Sequence, residues 1–165
     1  MTGGRVPELP PRLRRLLESK RLREQEFTRS DVINLWRRAV ESARDAELPG
    51  LSLDGSLSSA YDAALNGCQA LLAARHLRAA GGQGHHEATF AAVEALGLDG
   101  LTDLVPNSEE IRSVRRSSVY DPVLATEADR KKAIVWMRAT LPPMRSALVS
   151  WDPTLDRDLL PVSRP

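Results

Sequence analysis

The segment Ser56-Leu57-Ser58-Ser59-Ala60-Tyr61-Asp62-Ala63-Ala64-Leu65-Asn66-Gly67-Cys68-Gln69-Ala70-Leu71-Leu72-Ala73-Ala74-Arg75-His76-Leu77-Arg78-Ala79-Ala80 decides the fold. Leu57, Ala60, Tyr61, Ala64, Leu65, Cys68, Leu71 and Leu72 recur at three- and four-residue steps, which sets one apolar face of a long helix. Gly81-Gly82 ends the pattern. His85 and His86 open the next helix, which carries Phe90, Val93 and Leu96 and closes at Gly97. So short a break predicts a helical hairpin: 56–80 and 84–96 antiparallel, with Tyr61, Leu65, Cys68 and Leu72 facing Phe90 and Val93.

Reading upstream, Pro10-Pro11 can begin a mostly polar helix with a narrow stripe of Leu13, Leu16 and Leu17. It is expected to cover the outside of the domain. Thr28-Arg-Ser-Asp31 has the form of a capping box with Asp in place of the preferred Glu. Val32, Leu35, Trp36, Ala39, Val40 and Ala43 follow it at helical spacing, and Pro49-Gly50 ends this helix. Downstream, Thr126-Glu-Ala-Asp129 is a second capping box, opening a helix with Ile134, Met137 and Leu141. Pro142-Pro143 is expected to kink or break it, with Met144, Leu148 and Trp151 continuing the apolar pattern. Residues 153–165 read as tail.

Aromatic residues are only 4% of the 165, Ala and Leu abound, and no stretch alternates with period two. Helices packed on helices are the expected fold, all-α. A net charge of +1 provides no global field toward nucleic acid or membrane. No stretch reaches the ~18 apolar residues of a membrane span, and the polar start lacks a signal-peptide core, so the expected location is cytoplasmic. A single cysteine, Cys68, rules out an intramolecular disulfide and any cysteine cluster for a metal. Adjacent His85 and His86 point ~100° apart on a helix, unlike the i,i+4 pair a helical zinc site uses. The expectation is one packed and one wet histidine, or one imidazole supplied to a polar site between helices. No metal or cofactor is expected.

The stretch Arg112-Ser-Val-Arg115-Arg116-Ser-Ser-Val-Tyr120-Asp121-Pro122 looks built for something besides packing. Asn107 or Ser108 can cap its helix, with Glu109 and Glu110 at the positive end. Pro122 forces the helix to end near Tyr120. Arg112 and Arg116, one turn apart, repel each other unless an anion or acidic side chains meet them. The plainer alternative pairs Glu109 with Arg112 and leaves the rest solvated. Asp62 and Asn66, a turn apart on the long helix, could bring a carboxylate and an amide to the arginines.

Taken together, a long helix beginning Ala60-Tyr-Asp-Ala63, a Gly-Gly break, a helix bearing His86-Glu87, and a helix ending Arg-x4-Tyr-Asp resemble the HEPN superfamily. Its members are small bacterial helical proteins, many in toxin–antitoxin and defence systems or beside nucleotidyltransferases. The resemblance covers roughly residues 51–150. It implies an antiparallel bundle of four to five helices over 51–152, leaving residues 1–50, a tail plus two helices, as an N-terminal helical extension. It further implies a homodimer whose two arginine helices meet in one metal-independent ribonuclease site. In that pattern Arg115 takes the arginine position and Tyr120 the histidine position, as catalytic residues. Arg112, Arg116, Asp62 and Asn66 would serve RNA or nucleotide phosphate binding. Tyr120 departs from the family: a phenol of pKa ~10 lies about 3.5 units above an imidazole, roughly 5 kcal/mol of misplaced proton affinity. Ribonuclease activity is therefore expected to be impaired, while anion binding survives. The alternative is a non-catalytic helical interaction module pairing with an antitoxin or nucleotidyltransferase subunit.

Overall fold

The computed structural model describes residues 9–120 and 124–162, and the side chains of all of these except 116–120. The order of elements is α1 (Pro11–Glu18), β1 (Leu22–Glu24), α2 (Arg29–Ala46), α3 (Leu53–Ala73), β2 (Leu77–Ala79), α4 (His85–Ala95), α5 (Leu104–Tyr120) and α6 (Glu127–Trp151), followed by a 3-10 turn at Pro153–Arg157. The fold is mostly helical, as the composition suggests.

Helix α3 is the axis of the molecule. Most of its residues from Ser56 onward are buried on every side rather than along one stripe. A helix apolar all round belongs inside a bundle. Here α2, α4, α5 and α6 all pack against it. Gly67 permits the closest approach, because a Cβ there would lie 2.6 Å from the Met144 sulfur and 3.2 Å from Leu141 Cδ2 of α6. Ser56, fully buried, donates its hydroxyl to the Ala46 carbonyl at the end of α2 and accepts from Arg130 Nε of α6.

The two capping boxes form as read. Thr28 and Asp31 exchange hydrogen bonds at the start of α2, and Thr126 and Asp129 do so at the start of α6. Several other expectations are corrected. Residues 1–50 were expected to be an extension, yet Leu13, Val32, Trp36, Ala39 and Val40 are buried in the same core as α3. Nor do residues after 153 trail off. Leu155 and Leu159 are buried, and the Leu160 carbonyl accepts the Trp36 indole N–H at 2.8 Å.

The long helix ends at Ala73, not Ala80. His76 takes a left-handed backbone (φ 55°), its carbonyl accepts from Gln25 N, and its Nδ1 accepts from Phe27 N. The chain then forms β2, antiparallel to β1 in the register Leu22↔Ala79, Arg23↔Arg78, Glu24↔Leu77. Leu22, Leu77 and Ala79 bury one face of this ribbon while both arginines stay exposed. Residues 74–84 therefore return along the molecule before α4 begins. The expected antiparallel hairpin does not form. In such a hairpin the first turn of α4 would sit beside the last turn of α3, whereas His86 reaches Tyr61 in the first half of α3. One of the expected contacts does form, Tyr61 lying edge-on to Phe90 at 5.6 Å between ring centres.

Helix α6 runs unbroken through Pro142 and Pro143. Those prolines deprive the Arg138 and Ala139 carbonyls of their helical donors. Both residues are solvent-exposed, so water can replace the bonds, while Leu141 and Met144 stay buried. Helix α5 starts earlier than expected. It follows left-handed Asp103, and Glu94 of α4 accepts from Val105 N at 3.1 Å, in place of a cap by Asn107 or Ser108. Glu109 and Glu110 thus lie beyond the first turn. The helix is described as far as Tyr120, and the expected end at Asp121-Pro122 lies outside the described residues.

Candidate functional site

At the junction of α3, α4 and α5, polar groups gather over an apolar base. Phe90 forms that base, fully buried between Tyr61 and the Trp136 ring, whose centre is 5.9 Å away. Tyr61 is 1% exposed, and its hydroxyl lies 3.3 Å from His86 Nδ1. The guanidinium of Arg115 sits over the Tyr61 ring, 5.1 Å from its centre. Such a cation–π contact contributes about 0.5–2 kcal/mol, depending on solvent access.

The electrostatics follow from burial. Burial pushes the Tyr61 phenol up to about 12, although Arg112 and Arg115 pull the other way. It therefore remains protonated throughout the neutral range. Burial also lowers His86 to about 4, and the nearby His85, Arg112 and Arg115 charges add to the effect. Asp62 is half-buried and raised by desolvation, with Arg115 opposing the shift. The site thus holds a neutral phenol and a neutral imidazole beside two guanidiniums, with the Asp62 and Glu109 carboxylates close to the arginines.

The expected residues are only partly brought together. Arg115 meets α3 through Tyr61 and acts on Asp62, as the pairing of α3 with α5 requires. Arg112 lies near enough for its charge to act on Tyr61 and His86, and it also pairs with Glu109 at 3.5 Å. That pair is the plainer alternative in part realised. Asn66 does not reach across: its amide nitrogen donates to the Asp62 carbonyl of its own helix at 2.8 Å. The side chains of Arg116 and Tyr120 lie outside the described residues. Helix α4 itself is well buried, with Ala88, Phe90, Ala92 and Val93 all inside.

Two members of the cluster were not singled out from sequence. Tyr61 looked like one more residue of an apolar stripe. His86 was one of three weak options, although the ~100° divergence of adjacent helical residues already implied that one histidine would turn inward. Each histidine has its own contact: His76 with Phe27 N, His85 with the Gly82 carbonyl at 2.8 Å, and His86 with Tyr61. Among the described residues no group of three His, Cys, Asp or Glu side chains could hold a metal ion. Cys68 is fully buried and its thiol pushed upward, which suits packing rather than reactivity.

The lowered His86 makes a pH prediction. The unfolded chain takes up a proton near 6.5 that the folded protein refuses until about 4. The associated stability is complete above pH ~6.5 and is lost as pH falls toward ~4. Because the ring is partly exposed, solvent screening reduces the effect to on the order of 1 kcal/mol. Urea denaturation at neutral and mildly acidic pH should show His86→Gln losing less stability than wild type on acidification. Identical acid dependence in the two proteins would contradict the buried, neutral imidazole.

No protein-family model, no curated protein and no solved structure matches the chain. The functional reading accordingly rests on the chemistry of this junction.

Proposed function

We propose that this chain is a HEPN-like, toxin- or defence-type protein that binds RNA or nucleotide phosphate through α5, as a homodimer with the arginine helices at its two-fold interface. The observation that supports this best is the guanidinium of Arg115 over the Tyr61 ring, near enough for its charge to act on His86, with Arg112 one turn before it. Guanidiniums present paired N–H donors that match phosphate oxygens, and charge-assisted bonds of that kind are the strong ones.

Ribonuclease activity, if the chain retains it, is weak and metal-independent. Tyr120 is a poor general base at neutral pH. His86, neutral and near both arginines, is the imidazole that could share the task. A phosphate beside the arginines would offset their charge and restore part of its proton affinity.

The direct test is fluorescence anisotropy of a labelled single-stranded RNA at low salt. Wild type is expected to bind, and Arg115→Ala to weaken binding about tenfold, the effect of one charge-assisted contact. In the same samples Tyr120→His is expected to raise cleavage in the presence of a chelator. Brisk wild-type cleavage abolished by Tyr120→Phe would overturn the assignment of Tyr120 as the weak point.

A second reading has its own support. Leu124, shortly beyond α5, is 73% exposed, and Arg112 already has a carboxylate partner in Glu109. Both features suit a helical interaction module whose α5 side meets an antitoxin or nucleotidyltransferase subunit. Absence of RNA binding at low salt would favour that reading.

A further inference from the structure

On the His85 side of the histidine pair, away from the Arg115 contact with Tyr61, lies a cavity of about 480 Å³ between α2, α3, the ribbon and the start of α4. Its size falls within the range of small-molecule sites, roughly 300–1,000 Å³. The wall contributed by the ribbon and α2 carries Arg23, Arg78 and Arg38, and the floor is apolar, with Phe27, Leu35 and Leu72.

The arginine pair is the unusual part. Arg23 and Arg78 stand directly opposite each other across the two strands. Like charges so placed destabilise a ribbon. Both donate to one neutral acceptor, Gln25 Oε1, at 3.3 and 3.4 Å. Among the described residues no carboxylate forms an ion pair with Arg23, Arg38 or Arg78. Asp31 also lines the cavity, but its Oδ2 is held by Thr28 N at 2.7 Å and Thr28 Oγ1 at 2.8 Å in the cap of α2. Positive charge therefore exceeds negative at this wall, and the ribbon keeps an arrangement that packing alone disfavours.

We infer that this cavity binds a phosphorylated small molecule of mononucleotide size, its phosphate on Arg23, Arg78 and Arg38 and its ring against Phe27 and the leucines. Guanidiniums present paired N–H donors to phosphate oxygens, and the apolar floor matches a planar base rather than a bare anion. His85, with Nδ1 engaged by the Gly82 carbonyl, and the Gln69 and Asn34 amides provide further hydrogen-bonding groups on the same walls. The site shares no residue with the α5 cluster and stands independently of the RNA reading.

Isothermal titration of the full chain with each of the four ribonucleoside monophosphates tests it, with inorganic phosphate and the matching nucleosides as separate arms. At least one monophosphate should bind at one site per chain. Phosphate alone and the nucleoside alone should each bind at least about tenfold more weakly. Arg78→Gln and Arg38→Gln should each weaken the nucleotide about tenfold. The melting temperature of unliganded Arg78→Gln should equal or exceed that of wild type, because the cross-strand repulsion is gone. Failure of all four monophosphates to bind would overturn the proposal. So would binding that Arg115→Ala abolishes and Arg78→Gln does not change.

Discussion

Trp36→Ala is expected to destabilise the protein by about 3–5 kcal/mol, the usual range for removing a large aromatic side chain from a close-packed core. Trp36 is fully buried on α2, and its indole N–H donates to the Leu160 carbonyl at 2.8 Å. The substitution thus opens a cavity beside α3 and removes the hydrogen bond that holds the C-terminal segment down. Trp36→Phe, which fills most of the space but cannot donate, should lose less. The order expected in urea denaturation is wild type, then Trp36→Phe, then Trp36→Ala. Hydrogen exchange should report earlier opening of residues 153–160 in both variants. A Trp36→Ala protein as stable as wild type would mean that α2 and the C-terminal segment are not part of the core.

Phe90→Ala should have a comparable effect on stability, about 3–5 kcal/mol, with a second consequence at the junction. The ring separates Tyr61 from Trp136 and is fully buried. Without it Tyr61 loses its edge contact, so the surface under the Arg115 guanidinium becomes mobile. RNA affinity should fall in the folded variant even though no charge has been removed. Phe90→Leu keeps most of the volume and should retain most of both properties. Melting curves and anisotropy titrations of the two variants would check this. Loss of stability with unchanged RNA affinity would separate the packing of Tyr61 from the function of α5.

The parts legible in the sequence were those with local chemistry. The Thr28–Asp31 and Thr126–Asp129 boxes each satisfy helix-end donors within four residues, so no tertiary information is needed to find them. The stripe on α3 was equally clear, and Tyr61 belonged to it. What a stripe cannot reveal is that a helix is surrounded, because Ala63, Ala70 and Ala73 pass as neutral positions until neighbours cover them.

The ribbon escaped because three residues such as Leu77-Arg78-Ala79 carry only one alternation, which a helical pattern absorbs equally well. The true end of α3 depends on His76 meeting Phe27 from a distant part of the chain. The C-terminal segment looked like tail because Pro153 and Pro161 bracket it, yet its leucines complete the core around α2. At the junction, Arg115 and Asp62 were found because charges on a helix invite a question about partners. His86 was underweighted because a lone imidazole says nothing of its surroundings until α3 and α5 are brought beside it.

The central claim, that α5 presents its arginines to phosphate, is tested most directly by the salt dependence of RNA binding. The affinity for a single-stranded oligonucleotide should be measured at several salt concentrations for wild type and for the double substitution Arg112→Ala/Arg115→Ala. Each phosphate contact on a single strand contributes about 0.7 to the slope of log affinity against log salt. The double variant should bind more weakly, with a slope shallower by roughly 1.4. Equal slopes in the two proteins, or no binding by wild type at low salt, would contradict the account.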